Sequence, residues 1–281
     1  MTESLLLALL RDLADEGQQL DELVAGLPAE AWATPTPARG WTIAHQIAHL
    51  TWTDELTMSA VTDPRRFRAN RGTERGPSTQ IDAAANAGAA LPPDVMLTRW
   101  RTSRAGLASA LASLPPGVSI PWMGPDMSGP SMATARLMET WAHGVDIRDA
   151  LHQPTPASRR LRAVAHLGVR TRDFSFHQRS LPPPETEFRV ELTGPGGETW
   201  TWGPADATQR VSGPALDFCL RVTRRRHRDD LALKAVGTDA DRWLTIAQAF
   251  AGPAGDDRPS LNTPNRHAYQ QQLNSDPVTG R

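Results

Sequence analysis

The chain has 281 residues, 39 % hydrophobic and 22 % charged, enough apolar material for one large or two ordinary domains and too much for a disordered chain. Its 30 basic and 31 acidic side chains leave a net charge of -1, which gives no pull toward nucleic acid. No apolar run reaches the ~18 residues that cross a bilayer, so no membrane partner is expected. The single cysteine, Cys219, excludes an internal disulfide and fits a reducing cytoplasm. Among the basic residues only Lys234 is lysine; with the abundant Ala, Gly and Pro this points to a GC-rich bacterial genome, the actinobacteria among them.

The opening stretch "MTESLLLALLRDLADEG" reads as a helix, not a secretory leader, because Leu6, Leu9, Leu10 and Leu13 follow helical spacing. That helix is expected over residues 3–27. "ATPTPARG" is a loop, and Thr42 is the expected N-cap of a second helix reaching Thr62. "DPRRFRANRGTERGPS" (63–78) is polar and rich in breakers and reads as a long surface loop. A helical start near Ile81–Ala90 precedes a third helix over 94–114, and Ser131 is placed as the cap of a fourth over 131–151. A fifth is expected over 157–176.

After "SLPPPE" the pattern changes. "TEFRVEL" and "TWTWG" alternate as half-buried strands around the turn "TGPGGE". "QRVSG" and "LALKAVG" read as further strands, and "PALDFCLRVTRR" and "DADRWLTIAQAFAG" as helices. The expected fold is therefore a mix of all-α and α/β character. A four-helix bundle with one or two long crossings spans 1–180, and a small α+β domain spans 185–252. The tail 253–281, without periodicity, is expected to be disordered.

Two helices carry metal-binding residue types at i, i+4, where side chains share a face. They are His45 and His49 in "GWTIAHQIAHLTWTDE", and Glu139 and His143 in "METWAHGVDIRDAL". Ligands from two facing helices can meet in a bundle core. Two nitrogens and one carboxylate suit Zn2+ with a position left open; Fe2+, Ni2+ and Co2+ accept the same donors. Ordinary helix positions, with Glu139 paired to Arg136, are the competing reading of these spacings.

"GWTIAHQIAHL", followed about ninety residues later by "METWAHGVDIRDAL", resembles the DinB-like metal-binding bundle superfamily, closest to its mycothiol-dependent maleylpyruvate isomerase branch. Trp41-Thr42 and His49-Leu50 match the first motif of that family. Glu139, His143 and Val145-Asp146 match the second. "LTGPGGETWTWGP" and the segments after it resemble the family's small C-terminal domain.

The resemblance implies that His49, Glu139 and His143 hold the metal. His45 lies outside that set and is read as lining the pocket, with an outer contact to a ligand or simple exposure as the other readings. Asp146 is either an acceptor that orients a ligand histidine or a partner of Arg148. An arginine of the C-terminal domain is implied in the active site. The family's Gly-Arg-Arg falls on Arg224-Arg225-Arg226, which makes Arg225 and Arg226 the candidates; the competing reading is a solvated basic helix end. Trp122, with Met123 and Met127, is expected beside the metal as an apolar lining, joined by Trp52, with core packing as the alternative.

An open metal position can acidify a bound water or a bound thiol. Cys219 sits on an apolar helix face and is expected to be buried, so the thiol must come from outside. The resemblance supplies mycothiol. The expected activity is then S-transfer to, or thiol-assisted isomerisation of, a small electrophilic substrate, by a cytoplasmic monomer or homodimer. A metal-dependent hydrolase or lyase using bound water, and a non-catalytic binder, are the rivals.

Overall fold

The computed structural model describes residues 4–70, 77–255 and 257–261. The chain forms two compact units, the first ending at Pro154 and the second starting at Thr155.

The first unit is helical. Its elements are α1 (Leu5–Ala25), α2 (Ile43–Thr62), α3 (Pro64–Asn70), α4 (Pro77–Ala89), α5 (Pro93–Ala112) and α6 (Gly129–Ala150). A short antiparallel ladder of β1 (Ser119–Ile120) and β2 (Met127–Ser128) leads into α6. Helices α1, α6, α2 and α5 close a ring in that order, each packed on the next, so α1–α2 and α5–α6 are the diagonal crossings of a four-helix bundle. The core joins Leu20 and Val24 of α1, Ile43, Ile47 and Leu50 of α2, Met96 and Trp100 of α5, and Ile147 of α6. Asp21 of α1, 5 % exposed, accepts hydrogen bonds from Arg101 (2.8 and 2.6 Å) and Arg104 (2.8 Å) of α5. The hydrogen bond from Arg101 is the main cause that holds the Asp21 carboxyl below the usual range.

Two expectations for this unit change. Pro64 to Asn70 is a helix, not loop: Asp63 Oδ1 accepts from Arg66 N at 3.0 Å, and Phe67 supplies a buried anchor, 6 % exposed. Residues 71–76 of the expected loop lie outside the described residues. The N-cap of α6 is Ser128, whose hydroxyl accepts from Ser131 N at 3.2 Å, and Ser131 is already inside the helix.

The second unit contains α7 (Leu161–Arg170), α8 (Arg172–His177), β3 (Phe188–Thr193), β4 (Thr199–Trp202), β5 (Gln209–Pro214), α9 (Ala215–Val222), β6 (Lys234–Val236) and α10 (Thr238–Ile246). The sheet order is β4-β3-β5-β6, with β3–β4 and β5–β6 antiparallel and β3–β5 parallel. The expected bundle boundary at 180 moves back to 154, because the fifth helix packs on α9 of this unit. Gly168 permits that approach: a Cβ there would sit 2.8 Å from Val222 Cγ2 and 3.1 Å from Phe218 Cε1. Thr171 divides the expected single helix into α7 and α8.

The start of the expected disordered tail is also tied down. Arg221, 0 % exposed, donates to both carboxylate oxygens of Asp257 (3.0 and 3.1 Å), because so deeply buried a guanidinium needs a counter-charge. Ser260 Oγ donates to Asp230 Oδ1 at 2.7 Å. Residues 262–281 of that tail lie outside the described residues. Among the described residues no helix is long and apolar enough to cross a membrane.

Candidate metal centre

Helices α2 and α6 pack side by side in the first unit, and each turns polar residues toward the other. On α2, Gln46, His49 and Asp54 are buried at 0 %, 7 % and 5 % exposure; on α6, His143 is buried at 7 %. One ligand atom each from His49, Glu139 and His143 lies within 4.8 Å of the others. Glu139 Oε2 is 3.5 Å from His49 Nε2 and 3.1 Å from His143 Nε2. Both imidazoles therefore aim the same ring nitrogen at one carboxylate oxygen.

A chain of hydrogen bonds sets the state of His143. Thr36 Oγ1 donates to the Trp41 carbonyl (2.9 Å) and accepts from Gln46 Nε2 (2.8 Å). That leaves Gln46 Oε1 to face His143 Nδ1, which donates to it in a short hydrogen bond. With Nδ1 engaged by Gln46, the His143 ring is fixed with Nε2 turned toward the Glu139 carboxylate, the nitrogen a cation would use. Burial pushes His49 down to about 4, although the Glu139 hydrogen bond opposes this. Burial pushes Glu139 up, but hydrogen bonds with His143 and His49 and the charge of Arg136 hold it well below the usual carboxylate range. His49 Nδ1 is buried without a hydrogen-bond partner among the described residues. Neutral imidazole, ionised carboxylate and a locked tautomer are the state a divalent cation requires of its ligands. The donor set fits such an ion, held by His49, Glu139 and His143.

Trp41 walls the cluster, its ring centroid 5.2 Å from that of His49 and 6.0 Å from that of His143. Trp52 lies 6.2 Å from His49. Trp41 is itself held by Asp82 of α4, which accepts from Nε1 at 3.2 Å.

The remaining sequence candidates occupy varied places. His45 spends both ring nitrogens elsewhere: Nδ1 accepts from Thr42 Oγ1 (2.8 Å) and Thr42 N (3.2 Å), and Nε2 faces Asn86 Oδ1 (3.0 Å). It caps α2 and ties it to α4. Asp146 is buried at 1 % exposure on α6, yet the acceptor at His143 Nδ1 is Gln46. Trp122 is half-buried, stacked on Phe67 at 6.1 Å and 7°, with the Arg136 guanidinium 5.8 Å from its ring centroid. Met123 is exposed and Met127 half-buried.

Arg225 and Arg226 lie just past α9 in the second unit, both half-buried, with side chains donating to the Thr223 and Arg225 carbonyls, each at 2.7 Å. Arg224, where the family motif has glycine, takes φ 59°, a left-handed conformation that favours glycine. Cys219 is 0 % exposed; its thiol is pushed up by burial and donates to the Leu161 carbonyl at 3.4 Å. Gln46 and Trp41 are the members of the site that sequence reasoning left out as site residues. Gln46 carried one signal, its place between two histidines on the face that bears His49.

Fold and site together define a class: a four-helix bundle with a buried two-histidine, one-carboxylate cluster suited to a cation, followed by a small α+β unit. Comparison with known proteins narrows the class. Residues 13–148 match the family model described as the mycothiol maleylpyruvate isomerase N-terminal domain. Residues 184–236 match a second, described as wyosine base formation. Two curated relatives are the uncharacterized proteins MT0041 and Rv0036c of Mycobacterium tuberculosis, strains CDC 1551 / Oshkosh and ATCC 25618 / H37Rv. Each is 56 % identical over 245 residues, 87 % of this chain and 95 % of the relative. Crystal structures of a mycothiol-dependent maleylpyruvate isomerase and of a histidine-to-alanine mutant of it share the fold, each with TM-score 0.57 and 18 % identity over 82 % of this chain and 92 % of theirs. The chain belongs to the mycothiol-dependent maleylpyruvate isomerase-like family.

Proposed function

We propose that this protein is a metal-dependent enzyme that uses a low-molecular-weight thiol, mycothiol, for S-transfer to, or thiol-assisted isomerisation of, a small electrophilic substrate. One observation carries the reading: three ligand atoms from two separate segments meet within 4.8 Å in the state a cation needs. A divalent ion, Zn2+ by donor type, supplies an open position that acidifies a bound thiol or water. The chain's own residues do the rest. Gln46 holds the His143 ring with Nε2 inward, and Trp41 shields one side of the cluster. Arg225 or Arg226 is the family's candidate for holding a carboxylate or the polar part of the thiol.

The protein's own thiol does not compete for this role, since burial keeps Cys219 protonated. The thiol is therefore external, and the family's naming favours mycothiol. An unpaired cysteine and a thiol cosubstrate both suit a reducing, cytoplasmic setting.

Elemental analysis of wild type beside a His49→Ala/His143→Ala double variant tests the centre. About one transition metal per chain is expected in wild type, from one cluster of three ligands, and almost none in the variant. Equal metal in both removes the site. Calorimetry of the metal-loaded protein with mycothiol then tests the chemistry: a binding heat supports the thiol reading, and a silent trace supports a hydrolase or lyase using bound water.

A further inference from the structure

One turn before Glu139 on α6 is an arginine. Residues 136, 139 and 143 share a helix face, because steps of three and four return to the same side. Arg136 is 4 % exposed, and its Nε and Nη1 have no hydrogen-bond partner among the described residues. Its charge bears on Glu139, His49 and Asp54. It is thus close enough to be felt by the ligand set while bonded to none of it. Trp122 is an aromatic neighbour, its ring centroid 5.8 Å from the guanidinium carbon.

Buried donors without acceptors are costly and rare in folded proteins. A guanidinium receives a carboxylate on either of two edges, Nε with Nη2 or Nη1 with Nη2. On Arg136 each edge contains an unpartnered donor. Lysine could replace only its charge here, since a point charge lacks the planar fork.

We propose that Arg136 is a carboxylate anchor of this site, separate from the Arg225/Arg226 candidates, binding an acidic group of the substrate beside the His49–Glu139–His143 cluster. The inference rests on the functional reading above for the place of reaction, but the anion contact belongs to the protein alone. It makes the molecule bound there one that carries an acidic group. It also places a cationic anchor inside the bundle, on the helix that supplies two of the three ligands.

The test measures binding of maleate and of its neutral diamide by calorimetry, with zinc-free and zinc-loaded protein, for wild type, Arg136→Met and Arg136→Lys. Wild type is expected to prefer maleate to the diamide by about tenfold or more, the scale of one charge-assisted contact. Arg136→Met should abolish that preference while leaving diamide binding and zinc content unchanged, and Arg136→Lys should restore part of it. Circular dichroism and zinc content show whether each variant is folded. Equal weakening of both probes in Arg136→Met, undiminished maleate affinity in it, or no wild-type preference for maleate would each overturn the proposal. Should wild type take up no zinc yet keep an Arg136-dependent preference for maleate, the metal reading falls and the anchor stands; zinc uptake without that preference gives the reverse.

Discussion

Gln46 links the backbone of one loop to the state of a buried imidazole on another helix. Its amide is oriented by Thr36, and Thr36 by the Trp41 carbonyl, so the carbonyl end has one role left, at His143 Nδ1. Contacts of this kind orient a metal ligand and raise its basicity. Gln46→Leu is expected to lower metal affinity by about 10- to 100-fold with the fold intact, measured by competition with a chromophoric chelator. Unchanged affinity would show that the tautomer needs no such support. Asp54, two turns further along α2, makes a second residue-level case. It borders a cavity of about 240 Å3 also lined by Leu10, Leu107 and Thr140. Burial pushes its carboxyl up from 3.8 to about 7, against the charges of Arg136 and Arg104 and a weak contact with Ser103. A raised folded value means the unfolded chain sheds this proton first, so the group costs stability as pH climbs from about 4 to 7. Asp54→Asn should therefore match wild type near pH 4 and exceed it near pH 8, by at most about 4 kcal/mol. Urea unfolding at both pH values measures this, and a pH-independent gap between the two proteins would reject it.

At the scale of elements, α4 is a brace for the helix that carries His49. Its Asp82 holds Trp41, its Asn86 meets His45, and its Gly88 lets the backbones close. A Cβ on Gly88 would lie 2.6 Å from Ala48 Cβ, next to His49 in sequence. Gly88→Val should cost about 1–3 kcal/mol through overpacking and lower the melting temperature and metal affinity together. A variant with wild-type affinity would mean that α4 does not position α2. The long periodic helices were legible in the sequence because each carries apolar residues at helical spacing. The Glu139–His143 pair was legible from its i, i+4 spacing, but the same spacing equally offered His45 with His49; the choice of His49 came from the family resemblance. Helix α3 was not legible: one apolar side chain, Phe67, among arginines gives no period to read. Helix α7 was legible as a helix but not as part of the second unit, because its partner α9 lies some fifty residues on. The role of Gln46 was hidden for the same reason, its decisive contact being 97 residues away, and its place between two histidines was the one signal it carried.

At the scale of the molecule, the two units divide the work of folding differently. In the first, polar residues interrupt the buried faces of both helices that meet at the cluster, so an ion bound there, as proposed, would add to that unit's cohesion. Metal binding is then also folding free energy. Removing the ion from loaded protein with a chelator should speed amide hydrogen exchange most in α2 and α6, read by mass spectrometry of peptic fragments. Uniform exchange before and after would show that the bundle closes without help. In the second unit the sole sulfhydryl is sealed beneath the Leu161 carbonyl. A thiol-directed reagent added to the native protein will find no accessible cysteine to label. A metal–thiolate distance seen in X-ray absorption at the edge of a bound metal can therefore be assigned to the thiol supplied from outside, because Cys219 is buried.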